Sequence, residues 1–169
     1  MKLKTLTRIG LLSAVALIIF MVEAQIPVPV PVPGIKLGLA NIVTIFAVWV
    51  LGSWQAVAVL AVRVFLGAVF SGNFGTIFYS AAGGALAIFT AIGLKKILKQ
   101  TQIWVAGCLG AVAHSIGQMG AAIALTGTPA LAVYLPVMIA CGIATGLFTG
   151  LCAQLLVNRG KNFWKTTFR

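Results

Sequence analysis

The chain of 169 residues is 61% hydrophobic and 8% charged, with 12 Lys or Arg side chains against a single acid, Glu23. About a quarter of the residues of a soluble domain are charged, so this composition cannot cover a water-facing surface. It predicts an integral membrane protein and argues against a soluble enzyme, a disulfide-rich secreted domain or a nucleic-acid-binding protein, in spite of the net charge of +11.

Six apolar stretches follow one another along the chain, and each is predicted to be a transmembrane helix. Such a helix needs about 20 apolar residues, so six of them leave room for short connections but not for an extramembrane domain. Only Gly52 and Ser53 separate the second stretch from the third, so a bent hairpin or a partly re-entrant segment is an alternative there. The predicted helices lie at residues 9–26, 37–51, 54–70, 74–94, 103–125 and 130–157.

The basic residues predict the orientation of these helices. They cluster in an N-terminal tail at residues 1–8, in a loop at 95–101 and in a C-terminal tail at 158–169. With six spans, all three clusters lie on one side, which the positive-inside rule assigns to the cytoplasm. We expect a single transmembrane domain with both termini cytoplasmic. The first segment resembles a signal peptide in its basic start and its residues 22–24, but is taken as retained.

The connection after the first segment, an extracellular loop at residues 27–36, has proline at every second position from 27 to 33. Proline lacks the amide donor that a helix needs, so this run is expected to be extended and close to polyproline II. Two roles are open for it. It is either a stiff spacer or a preformed lid over an outward-facing pocket.

Small residues recur at four-residue spacing on several predicted helices, and such faces allow close packing between helices in lipid. On the first segment, Gly10 and Ala14 begin a face of this kind and are candidates for docking a partner protein. The other faces are expected to pack within the bundle: Gly83, Ala87 and Ala91; Gly107, Ala111 and Ser115; and Gly142, Gly146 and Gly150.

Polar side chains inside the membrane are costly, so they are candidates for function. Four predicted segments place such residues in the same half of the bilayer, which predicts an outward-opening substrate site. If Glu23 pairs with Arg63, one positive charge remains, and an anionic ligand is favoured. The alternative is that these residues are structural and that the lysine only reaches the interface. The candidate substrate-binding residues are Glu23, Lys36, Asn41, Arg63, His114 and Gln118.

Metal and diphosphate chemistry is not expected. One His, one acid and three dispersed Cys offer no metal-ligand spacing. Proteins that hold Mg²⁺ with a diphosphate usually do so through several carboxylates. We expect no catalytic residue, no metal site and no cofactor bound by this chain.

Residues 33–41 (Pro-Gly-Ile-Lys-Leu-Gly-Leu-Ala-Asn) and 114–118 (His-Ser-Ile-Gly-Gln) resemble the Gx transporter family, whose older name is heptaprenyl diphosphate synthase component I. This family is similar to the S components of energy-coupling factor (ECF) transporters. The resemblance implies an all-α bundle of six helices in the bacterial cytoplasmic membrane. It implies a non-enzymatic subunit that binds a small vitamin-like, anionic or isoprenoid-like molecule near the outer face. The implied partners are an ECF transmembrane coupling subunit, docked on helix one, and two ATPase subunits that use ATP.

Two other functions stay open. A membrane component of polyprenyl diphosphate synthesis, as in the older family name, would need acids from a partner, because Glu23 alone cannot hold Mg²⁺ with a diphosphate. The third is a stand-alone carrier or a membrane subunit of a redox complex. An ion-coupled carrier needs a membrane acid, so Glu23→Gln would abolish its activity.

Overall fold

The computed structural model describes residues 3–26 and 36–160 of the chain, and these residues form helices joined by turns, without strands. Short 3₁₀ turns at Gln100–Gln102 and Pro129–Tyr134 lead into the last two helices. The predicted lid at residues 27–33 lies outside the described residues. The described helices are α1 (Leu3–Glu23), α2 (Asn41–Val50), α3 (Ser53–Ser71), α4 (Gly75–Lys95), α5 (Ile103–Thr126) and α6 (Leu135–Arg159).

Five of these six helices are long and apolar enough to cross a membrane, and α2 is the exception. Its ten residues rise about 15 Å, half of the roughly 30 Å of a bilayer's hydrocarbon core. The prediction of a full second span at residues 37–51 is therefore corrected to a half-length helix that follows the non-helical residues 36–40. Gly38 has a φ of +86°, which a right-handed helix does not accommodate, so the helix begins after it.

The helix α2 lies in the centre of the bundle, and this explains why so short a helix is tolerated. Seven of its ten residues are buried, and it packs against α1, α3, α4, α5 and α6. Non-helical backbone at membrane depth is stable where protein, not lipid, surrounds it. The ammonium of Lys95, the last residue of α4, donates a hydrogen bond of 2.6 Å to the Val48 carbonyl oxygen. Thus α2 runs from the middle of the bundle to the end at which α4 finishes.

The helices α4, α5 and α6 pack through the predicted small-residue faces. A Cβ atom built on Gly146 would lie 2.6 Å from the carbonyl oxygen of Gly107, and one on Gly117 would lie 2.6 Å from that of Ala82. Backbone thus meets backbone at these contacts. All nine residues of the predicted faces on these helices are buried, which confirms the prediction of internal packing.

Buried polar residues lie between apolar clusters along α5. Ile103, at the start of α5, belongs to a cluster with Phe46 and Val157. Ala122, near its other end, belongs to a cluster with Met138. His114 lies between these two along the helix and is 2% exposed.

Candidate binding site in the bundle core

All three charged residues within the stretches 9–94 and 100–158, namely Glu23, Lys36 and Arg63, come together in the fold. The Lys36 Nζ atom lies 3.2 Å from the centroid of the Phe20 ring, and the Arg63 Cζ atom lies 5.6 Å from the same centroid. Glu23 interacts electrostatically with both cations. Glu23 is 2% exposed and Arg63 3% exposed, so these charges are deep in the protein.

The Glu23 carboxylate holds the backbone that leads into α2. Its Oε1 atom accepts a hydrogen bond from the Gly38 N–H group, and its Oε2 atom accepts one from the Ala40 N–H group at 3.3 Å. In contrast, the Nε and Nη2 atoms of Arg63 have no hydrogen-bond partner. The Glu23 carboxylate thus accepts hydrogen bonds from backbone amides, while the Nε and Nη2 edge of the Arg63 guanidinium makes none.

Two further hydrogen bonds fix the same backbone to α5 and α6. The Lys36 N–H group donates to Gln118 Oε1 at 3.3 Å, and Thr145 Oγ1 donates to the Leu37 carbonyl oxygen at 3.3 Å. Together with the bonds to Glu23, these contacts hold residues 36–40 between three helices. These hydrogen bonds therefore fix the start of α2 at the same level of the bundle as the charged residues.

The uncharged candidates lie in the same region, against two glycines. A Cβ atom on Gly38 would lie 2.8 Å from Asn41 Nδ2 and 3.2 Å from His114 Cδ2. One on Gly83 would lie 2.9 Å from His114 Cε1 and 2.8 Å from Gln118 Cγ. The polar side chains pack into the space that the missing Cβ atoms leave.

Buried polar atoms without a hydrogen-bond partner are concentrated at this site. It contains six of the eight such side-chain atoms in the described part of the chain, the others being on Ser13 and Asn158. Each buried polar atom without a hydrogen-bond partner lowers the folding stability by about 1–3 kcal/mol. Six such atoms in one place therefore point to a ligand that supplies their partners. The six atoms are Lys36 Nζ, Arg63 Nε and Nη2, Asn41 Nδ2 and Oδ1, and His114 Nδ1.

The site is positively charged near neutral pH. Lys36 precedes α2 and lies outside the membrane-spanning helices. Burial lowers its pKa to about 8, while the Glu23 carboxylate raises it and the Arg63 guanidinium lowers it further. An imidazole has an ordinary pKa of about 6.5 and is mostly neutral above it. Two cations and one carboxylate leave one net positive charge, so the site is suited to an anion.

The structure brings together all six residues predicted as substrate-binding, although their role in binding stays a prediction. Gly10 and Ala14 lie elsewhere, exposed on α1, and a Cβ atom on Gly10 would meet nothing within 4 Å. Sequence reasoning did not single out Phe20, which lies one helical turn before Glu23, or Gly38, and it assigned Gly83 only to helix packing. The sequence offered one indication of the role of Phe20, namely its position one helical turn before Glu23, the only acid in the sequence.

Among residues 3–26 and 36–160, the structure has no group of three or more His, Cys, Asp or Glu side chains placed to hold a metal ion. The model of the family described as heptaprenyl diphosphate synthase component I matches residues 12–156 of the chain. That range includes every residue of the site. No curated protein and no solved structure matches the chain.

Proposed function

The chain belongs to the heptaprenyl diphosphate synthase component I family, and from this premise we propose that it is the membrane-embedded substrate-binding subunit of an ECF-type uptake transporter. It captures a small anionic molecule from the outer face of the bacterial cytoplasmic membrane and has no catalytic activity of its own. A coupling subunit and two ATPase subunits drive the uptake. The proposal rests above all on six buried polar atoms that have no hydrogen-bond partner and belong to the side chains of one positively charged site.

The proposed topology has both termini in the cytoplasm. In it, α2 and the non-helical residues 37–40 before it together make one crossing, so the chain crosses six times and its basic clusters lie on one side. The contact of Lys95 with the end of α2 supports this arrangement, because it places the end of α2 beside the basic loop. The site then opens into the outer half of the membrane.

The surface of α1 supports docking of a partner. Gly10 and Ala14 are exposed there, and small residues allow a second helix to approach closely. We propose that the coupling subunit occupies this side of the bundle.

Affinity purification from native membranes with partner chains retained tests this proposal. Wild-type protein is expected to bring down two ATPase subunits, and the double variant Gly10→Leu/Ala14→Leu is expected to lose them while still inserting. Ala144→Leu makes the same change at an exposed position of α6 and should retain the partners. Absence of ATPase subunits from the wild-type preparation would contradict the proposal, as would full retention by the double variant.

The family description favours a second candidate, a membrane component of prenyl diphosphate synthesis. Recovery of a prenyl synthase chain in the same purification would support it. The carboxylate needed for Mg²⁺ and a diphosphate would then come from that chain, because both oxygens of Glu23 already accept backbone hydrogen bonds.

A further inference from the structure

We propose that the ligand of this site is a small, polar monocarboxylate, not a diphosphate or another multiply charged anion. The inference rests on the proposed function as a binding subunit and specifies the chemical class that it binds.

The net charge of the site favours a monoanion. Lys36 and Arg63 are opposed by Glu23, and the stretches 9–94 and 100–158 contain no other Asp, Glu, Lys or Arg. One negative charge neutralises the excess, whereas a diphosphate brings more negative charge than the site can balance. Uncompensated charge at membrane depth is strongly unfavourable, so the multiply charged anion is disfavoured.

This chain cannot offset that excess by holding a metal ion with a diphosphate. Mg²⁺ sites of this kind use carboxylate ligands together with the phosphate oxygens. Glu23 is the only acid in the whole sequence, and its two oxygens accept hydrogen bonds from Gly38 and Ala40. A metal ion bound to it would compete with the two hydrogen bonds that hold the backbone leading into α2.

The unused edge of Arg63 has the geometry of a carboxylate receptor. Nε and Nη2 lie on the same edge of the guanidinium plane, and their N–H groups match the two oxygens of a carboxylate. Both atoms are buried without a partner, on a side chain that is 3% exposed. The Lys36 ammonium rests on the neighbouring Phe20 ring, from which it can turn to the same anion.

The other buried polar atoms without partners require polar groups on the part of the ligand beyond its carboxylate, here called the body of the ligand. Asn41 leaves its Nδ2 amino group and its Oδ1 acceptor without partners, and His114 leaves Nδ1; both side chains are at least 95% buried. A site with such groups rejects a ligand that cannot pair with them. A fatty acid has the carboxylate but only hydrocarbon beyond it, so a free polar monocarboxylate fits better than a membrane lipid.

The test measures thermal unfolding of the purified full chain in detergent with a fixed set of probes at pH 7. Lactate and 4-hydroxybenzoate carry a carboxylate and a hydroxyl group, propionate and benzoate lack the hydroxyl, and lactamide and 4-hydroxybenzamide lack the charge. Inorganic diphosphate, farnesyl diphosphate and oleate represent the competing classes. We expect at least one hydroxylated carboxylate to stabilise the protein more than its matched partners and all three competitors do.

Variants then assign the effect to the site. Arg63→Ala is expected to weaken binding of the selected carboxylate at least tenfold. Arg63→Lys keeps the charge and the fold but removes the paired N–H groups of the guanidinium edge, and it is expected to weaken binding to the same extent. Arg159→Ala, at the end of α6, should bind as the wild type does.

Each contrary outcome overturns the inference in a recognisable way. Stronger stabilisation by a diphosphate that depends on Arg63 would show that the ligand class is wrong while binding stands. A preference for oleate would point to a lipid, and the absence of any Arg63-dependent carboxylate effect would reject the class. Failure of the proposed function appears instead in the purification experiment, as a lack of ATPase subunits.

Discussion

Replacing Arg63 by methionine is expected to stabilise the protein without ligand. Methionine keeps an unbranched chain of similar length and removes a guanidinium whose Nε and Nη2 atoms are buried without partners. Each orphaned donor costs about 1–3 kcal/mol. The change also removes the attraction to Glu23, but that carboxylate keeps its two backbone amides. Replacing buried charged groups by apolar ones is often stabilising by about 1–4 kcal/mol, and we expect a gain of about 1–3 kcal/mol here.

Reversible unfolding by denaturant in detergent measures this gain, with Arg159→Met as the matched control near the end of α6. The control removes the same charge from an exposed position, where the free energy of unfolding should change by less than about 0.5 kcal/mol. If Arg63 is instead a structural partner of Glu23, Arg63→Met leaves a buried charge uncompensated and destabilises the protein by about 3–5 kcal/mol. A loss of that size would refute the assignment of Arg63 to a ligand.

Three further changes probe the same structure. Glu23→Gln turns one acceptor into a donor that faces a backbone N–H group, so the free energy of unfolding should fall by about 1.5–3 kcal/mol; unchanged stability with lost transport would favour an ion-coupled carrier. Since the lowered pKa of Lys36 is about 8, its charge is present below that pH and is lost above it. Titration calorimetry should therefore find that carboxylate affinity falls about twofold from pH 7 to 8 and by up to about tenfold per pH unit above that, whereas a flat profile to pH 10 would exclude the ammonium. Gly117→Ala places a Cβ atom 2.6 Å from the Ala82 carbonyl oxygen and should destabilise by about 1–3 kcal/mol. Gly120→Ala, with nothing within 4 Å, should be neutral or stabilising by up to about 1 kcal/mol, and equal effects at the two positions would contradict the described packing of α4 on α5.

Long apolar helices were predictable from the sequence because the length of an apolar run and the turn residues at its ends determine them locally. The prediction for residues 103–125 differs by one residue from the observed α5, Ile103–Thr126. The half-length α2 was not predictable in this way. Its shortness is tolerated because other helices surround it, and the residues 37–51 alone do not show what will surround them.

The members of the site were predictable for a related reason. A polar side chain in an apolar helix needs a partner at the same depth, so Arg63 and His114 could be grouped before any fold was known. The partners of Glu23 could not, because backbone amides such as those of Gly38 and Ala40 leave no signature in the sequence. Phe20 was missed since an aromatic residue in an apolar helix has the appearance of ordinary core packing.

An experimental structure of the full chain bound to the selected carboxylate would show whether residues from separate helices share one ligand. We expect the carboxylate on the Nε and Nη2 edge of Arg63, with Asn41 and His114 within hydrogen-bond distance of the body of the ligand. A ligand bound elsewhere, with these three side chains turned toward lipid or toward separate crevices, would contradict the assignment of this binding site.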